Sequence, residues 1–85
     1  AALLVLEDWE TALRRGALIH AEWLGHALAG EAASVVEVDV SGATPARVIS
    51  DALRRATVRP GEVDAVSLHG TATRANDLCE TRAIE

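Results

Sequence analysis

Aromatic residues are nearly absent from this 85-residue chain, which has two Trp and neither Phe nor Tyr. Large rings supply much of the buried area in small proteins, so any core here must be built from Ala, Val, Leu and Ile. A chain of this size buries only about 60 to 65% of its unfolded surface on folding. We therefore expect a stand-alone fold to be marginal.

A single cysteine excludes an internal disulfide and fits a reducing compartment better than a secreted scaffold. The chain also has no charged-then-apolar leader and no apolar run long enough to cross a bilayer. We expect a cytoplasmic protein without a membrane span.

Basic residues are outnumbered, with 8 Lys and Arg against 13 Asp and Glu and a net charge of −5. Affinity for nucleic acid comes mainly from Lys and Arg on phosphates, so the balance argues against a nucleic-acid partner. With 49% hydrophobic and 25% charged residues, the composition is otherwise that of an ordinary globular domain.

Apolar stretches predict three strands, at residues 1–6, 17–24 and 64–68. A continuous apolar run marks the first, and alternation of apolar and polar residues marks the other two. Alternating Val, Glu and Asp predict a further short strand at residues 35–40.

Cap residues predict three helices between these strands. Asp8 can cap a first helix that runs to Arg15, and Thr44 followed by Pro45 predicts a second helix that runs to Ala56. A capping box of Asp77 and Glu80 predicts the start of a last helix. Strands alternating with helices indicate an α/β fold.

Candidate catalytic and binding residues are concentrated in the stretch His69-Gly70-Thr71-Ala72-Thr73, directly after the last predicted strand. Gly70 allows a sharp backbone turn and close approach of a ligand. Open α/β sheets usually hold their ligands where a strand ends and a helix begins. The placement favours a binding or catalytic site.

Residues 66–84 resemble the second conserved block of β-ketoacyl-acyl-carrier-protein synthases, which reads His-Gly-Thr-x-Thr, then Gly/Asn-Asp, Glu and Ala-Ile/Val. Upstream, residues 1–7 and the runs Arg15-Gly16-Ala17 and Ala21-Glu22 resemble another stretch of the same family, in the same order. The chain is identified as a partial ketosynthase domain, residues 1–85, truncated at both ends. The resemblance implies part of a thiolase-like layered fold, a mixed sheet with packed helices.

The resemblance also implies an acyltransferase that condenses a decarboxylated malonyl thioester with an acyl group held on a cysteine, in fatty acid or polyketide synthesis. At the matching positions, His69 would be catalytic, donating a hydrogen bond to the enolate oxygen. Thr71 and Thr73 would bind the pantetheine arm. No cofactor is implied, because the substrates are carried on the phosphopantetheine of acyl carrier protein, the expected partner. The full synthase would be a homodimer or heterodimer, and the 85 residues alone should be inactive.

A purely structural role is the alternative interpretation for each of these residues. An isolated His is often a core residue with a backbone partner, and a Thr pair can close its own turn. Cys79 lies in the predicted last helix, but the family's nucleophile lies in a part of the sequence that is not present here, so a small buried hydrophobe is the better interpretation. His20 and His26 lack the tight spacing of metal ligands.

Two other functions are compatible with the sequence. One is a non-catalytic, chain-length-factor-like partner subunit of a ketosynthase, against which the retention of His69 argues. The other is a small binding module that uses residues 25–30, although those glycines do not match a phosphate-cradling pattern. Two departures from the family pattern stand out: Ala72 where many members carry Gly or Ser, and Asn76 where many carry Gly.

Overall fold

Residues 1–32, 34 and 37–85 are described by the structure, a computed structural model. Within them the chain forms three α-helices, α1 (Trp9–Arg14), α2 (Ala43–Ala56) and α3 (Arg74–Ile84), and a single 3-10 turn at Pro60–Glu62. Helices α2 and α3 pack against each other. In the described part of the chain, no helix combines the length and the apolarity that a bilayer crossing requires.

Helix α1 forms as its sequence predicts. The Asp8 side chain accepts a hydrogen bond of 3.0 Å from the backbone N–H of Thr11 and so satisfies one of the free donors of the first turn. Gly16, with φ of +68°, follows the helix and turns the chain. Arg15 binds the Glu7 carboxylate at 2.6 Å, which ties the two flanks of the helix together.

Helix α2 ends at Ala56 as predicted, but its start differs from the prediction. The N-cap is Gly42 rather than Thr44, so Thr44 and Pro45 already lie in the first turn. An upstream hydroxyl takes over the predicted capping role, because Ser41 Oγ accepts from the Ala43 N–H at 3.2 Å. Pro is tolerated anywhere in a first turn, since those N–H groups have no helical partner.

Gly42 brings the start of α2 onto α3. It is buried and has a φ of +73°, a conformation that favours glycine. A Cβ added there would lie 2.8 Å from the Cys79 carbonyl oxygen and 3.0 Å from the Ala83 nitrogen. Next to this contact, the Arg82 guanidinium donates to the Val40 carbonyl at 2.7 Å. The approach of the two backbones therefore depends on glycine.

The predicted mixed sheet is wrong for the part of the chain that the structure describes: no strand occurs in it. Among the described residues, no backbone hydrogen bond joins any two of the segments 1–6, 17–24 and 64–68. Of the strand predicted at 35–40, Val35 and Val36 lie outside the described residues, and the remainder is not a strand. Alternation identifies an apolar face, but a strand also needs a paired neighbour for its backbone groups.

Much of the apolar surface is consequently exposed. Among the described residues, Ala12 and Cys79 are the buried hydrophobic ones, whereas Leu3 is 97% and Val5 91% exposed. The Cα radius of gyration is 16.1 Å for 85 residues, against about 12 Å for a compact domain of this length. The organised part of the molecule is the α2–α3 unit, which carries the loop of residues 69–73.

Candidate active site

The loop of residues 69–73 runs directly into α3 and makes two left-handed turns on the way. Gly70 has a φ of +60°, as the sequence predicted for a turn at this position. Ala72 has a φ of +57°, which the sequence did not predict. A left-handed conformation costs a residue with a Cβ about 1 to 2 kcal/mol, so Ala72 is held there against its own preference.

Glu80, one turn before the end of α3, holds the beginning of this loop. Its Oε1 accepts from the His69 N–H at 2.7 Å, and its Oε2 accepts from the Gly70 N–H at 3.2 Å. The Asn76 side-chain amide donates to the same Oε2 at 2.7 Å. A single carboxylate thus satisfies two consecutive backbone donors of the loop and connects them to the helix.

These contacts correct the predicted capping box. Thr73, not Asp77, is the N-cap of α3, and its hydroxyl accepts from the Asn76 N–H at 3.4 Å. Glu80 lies too far along the helix to reach back to that cap. The prediction was wrong because it used only the spacing of two acidic residues, while Thr73 provides a hydroxyl at the position where the helix begins.

The environment of Glu80 keeps it ionised. Partial burial alone would raise its pKa, but the hydrogen bonds from the Gly70 and His69 N–H groups and the Asn76 amide, together with the nearby His69 ring, lower the pKa below its usual 4.5. Three donors to one carboxylate favour the charged form. Glu80 is therefore an anion at neutral pH.

The His69 side chain lies on the surface, not among packed aliphatic residues. In the described structure no hydrogen bond involves its imidazole, whereas its backbone N–H is fixed by Glu80. The backbone of His69 is thus held, while its ring is exposed and has no hydrogen-bond partner among the described residues. Such an arrangement can present a hydrogen-bond donor to a substrate oxygen.

The Thr71 and Thr73 hydroxyls are hydrogen-bonded to each other at 3.2 Å. Together with the cap bond from Asn76, this is the turn-closing arrangement that the sequence left open as the alternative to ligand binding. Each hydroxyl has one donor and two acceptor sites, so capacity for a ligand remains. Their binding role stays a prediction.

Other candidate residues lie away from the loop. Cys79 is 6% exposed and packs under Gly42, which confirms the expected burial. The His26 ring meets the Trp23 ring edge-on at 5.7 Å, and the Arg55 guanidinium donates to the His26 carbonyl. Residues 1–32, 34 and 37–85 contain no group of His, Cys, Asp and Glu side chains arranged to hold a metal.

Two open cavities of the described surface also lie elsewhere. One, of about 810 Å³, lies between residues 3–7 and 17–23 and has a mainly apolar lining. The other, of about 550 Å³, runs along the face of α3 that carries Arg74, Leu78 and Arg82. Neither includes His69.

Sequence reasoning missed Glu80 and Asn76 as supports of the loop. Glu80 follows His69 by eleven residues, a separation that no helix or turn pattern connects. The available signal was the occurrence of Asn four residues before Glu, because side chains at that spacing meet on one helix face.

A family model described as "Beta-ketoacyl synthase, C-terminal domain" matches residues 20–85. All 85 residues align with 3-oxoacyl-[acyl-carrier-protein] synthase 2 of Synechocystis sp. at 39% identity and cover 20% of that protein. They also align with the mitochondrial 3-oxoacyl-[acyl-carrier-protein] synthase of Arabidopsis thaliana at 35% identity and cover 18% of it. The chain therefore spans about a fifth of the length of these relatives.

A solved structure resembles the same region. It is a type II PKS acyl-carrier protein in complex with its ketosynthase, bound to the hexaketide. The similarity has a TM-score of 0.87 at 38% identity, and it covers 91% of this chain and 19% of the other.

Proposed function

Since the chain belongs to the family "Beta-ketoacyl synthase, C-terminal domain", we propose that it is part of an acyltransferase that joins two acyl units by decarboxylative Claisen condensation. A malonyl thioester loses CO2, and the electron pair of the broken bond becomes an enolate. The enolate carbon attacks an acyl group held as a thioester on a cysteine of the synthase, and the thiolate leaves. Relatives in both fatty acid and polyketide synthesis support this reaction class.

In this proposal, His69 is the residue of this chain that donates a hydrogen bond to the enolate oxygen. Negative charge develops on the enolate oxygen during the reaction. A hydrogen-bond donor already in place stabilises that charge as it forms. The single observation that carries the assignment is the geometry at His69. Its backbone N–H is held at 2.7 Å by Glu80 while its imidazole is exposed.

Thr71 and Thr73 contact the amide-rich pantetheine arm that delivers the malonyl group. The Thr71 hydroxyl can exchange its bond with Thr73 for one to the arm, because Thr73 keeps its separate bond to the Asn76 N–H. Acyl carrier protein is the partner that brings this arm, as in the complex of the structural relative. The full synthase is a cytoplasmic dimer in this proposal and needs no cofactor beyond the carrier's phosphopantetheine.

The proposal is tested in the full-length protein that contains these residues, with malonyl-acyl carrier protein as substrate and CO2 release as the signal. His69→Ala should lower kcat by about 10² to 10³, the cost of removing one oxyanion donor. His20→Ala is the matched control, because it deletes an exposed imidazole outside the loop, and it should leave kcat unchanged. Wild-type decarboxylation by His69→Ala would refute the assigned role.

A further inference from the structure

Asn76 is half-buried at the start of α3, and its side-chain amide donates to Glu80 Oε2 at 2.7 Å. The two residues are four apart on the helix, so their side chains lie on one face. The proposed chemistry at His69, Thr71 and Thr73 does not use this contact.

The two carboxylate oxygens of Glu80 are held unequally by the loop. Oε1 receives the short bond of 2.7 Å from His69, whereas the bond from Gly70 to Oε2 is 3.2 Å. The Asn76 amide supplies the short bond to Oε2. A carboxylate can rotate about its last torsion with little hindrance. With short bonds on both oxygens, the plane of the Glu80 carboxylate is fixed relative to the His69 backbone.

We propose that Asn76 is a positioning residue, which orients the Glu80 carboxylate and through it the backbone of His69. The proposal rests on the catalytic role proposed for His69 and adds a support that sets where the imidazole stands. Without the amide, Oε2 keeps only the long bond to Gly70, and the His69 backbone gains freedom to move away from the reacting oxygen.

The central test is Asn76→Ala in the full-length synthase. Ala is a better helix former than Asn, so this variant removes the amide without weakening α3. Hydrogen exchange at the His69 and Gly70 amides should rise about fivefold, the factor for a hydrogen bond of ordinary net strength. The kcat for CO2 release from malonyl-acyl carrier protein should fall roughly tenfold, less than the ~10² that a 1 Å misplacement can cost. KM should stay within about twofold, since the amide does not touch the substrate.

A second variant and a control separate positioning from general stability. Asn76→Asp keeps the shape but presents an oxygen to Glu80 instead of a donor, and it should lower kcat at least as much as Asn76→Ala. Ala75→Gly weakens the same helical turn without contacting Glu80. It should lower Tm while leaving kcat and the exchange of the His69 amide unchanged.

The outcomes distinguish this proposal from the catalytic role of His69. Faster exchange together with a lower kcat in both Asn76 variants supports positioning. Unchanged exchange overturns it, and so does faster exchange with wild-type kcat in either variant. The exchange measurement does not depend on activity. A failure of His69→Ala to slow the reaction would therefore refute the catalytic role and leave the amide contact as a separate result.

Discussion

Glu80 Oε1 accepts a 2.7 Å hydrogen bond from the backbone N–H of His69, eleven residues earlier in the chain. This bond connects the candidate catalytic residue to α3, the helix that packs on α2. His69 is thus held in two ways: by the charged Glu80 carboxylate at the loop and, further away, by the packing of α3 on α2. Each contribution can be tested separately.

Removing the charge of Glu80 should loosen the loop and change its response to acid. In Glu80→Gln only one side-chain oxygen remains to accept, so one of the two loop amides loses its partner. We expect faster hydrogen exchange at His69 or Gly70 and a lower kcat. Glu22→Gln, which neutralises an exposed carboxylate outside the loop, should change neither.

The pH dependence follows from the lowered pKa of Glu80. A carboxyl whose folded pKa is depressed contributes stability above its usual value, here 4.5, and this stability is lost as the pH falls through the folded pKa. Other described carboxylates also have lowered pKa values, namely Glu7, Asp39, Asp51 and Glu62. The measurement is therefore the difference in Tm between wild type and Glu80→Gln, which should shrink below pH 4.5. A difference independent of pH would contradict the ionic role of Glu80.

Gly42→Ala should separate α2 from α3. The new Cβ would stand 2.8 Å from the Cys79 carbonyl, and the residue would keep a φ of +73°. Left-handed strain costs about 1 to 2 kcal/mol and overpacking about 1 to 3 kcal/mol, so we expect a loss of about 2 kcal/mol or more, seen as a lower urea midpoint. Gly61→Ala is the control, since a Cβ there meets nothing within 4 Å and its φ is not left-handed. Equal effects of the two substitutions would contradict the close approach.

Ala72→Gly should stabilise the protein, in contrast to most Ala-to-Gly changes. At a φ of +57° the Ala side chain is strained, and replacing it should gain about 1 kcal/mol. Ala75→Gly, three residues on and inside α3, should instead lose up to about 1 kcal/mol, because glycine weakens a helix. The two Tm shifts should therefore have opposite signs. A destabilised Ala72→Gly variant would show that the left-handed conformation carries no strain.

Local sequence signals predicted three helices, and three are present in the described residues, but only some of their ends were predicted correctly. The cap at Asp8 and the end of α2 at Ala56 depend on neighbouring residues alone, and both are confirmed. The positive φ of Gly70 was predicted for the same reason. The start of α2 was missed by two residues because Ser41 and Gly42 supply a better local start than Thr44.

The sheet and the Glu80 contacts could not be predicted in this way, because both depend on partners distant in sequence. Alternation in residues 17–24 indicates an apolar face but does not identify a neighbouring strand, and the described structure has none. Likewise, the acidic spacing of Asp77 and Glu80 suggested a local cap, whereas Glu80 binds back across the loop to His69. In both cases the pattern indicated a local preference, whereas the outcome depended on whether a distant partner was present.

Cys79→Ala tests whether the single thiol takes part in the reaction. The side chain is 6% exposed under the α2–α3 contact, so it acts as a small apolar group with no access to a substrate. Truncation should cost about 1 kcal/mol of stability through the small cavity it leaves, and kcat should remain within about twofold of wild type.

The thiol can also be probed chemically in the native full-length protein. A maleimide reagent should label Cys79 slowly, because reaction requires the α2–α3 contact to open. Gly42→Ala should accelerate this labelling, since it pushes the two helices apart at the Cys79 carbonyl. Gly61→Ala again serves as the control and should label at the wild-type rate. Rapid labelling of Cys79 itself in the wild type, or loss of CO2 release in Cys79→Ala with Tm retained, would contradict a purely structural role for this cysteine.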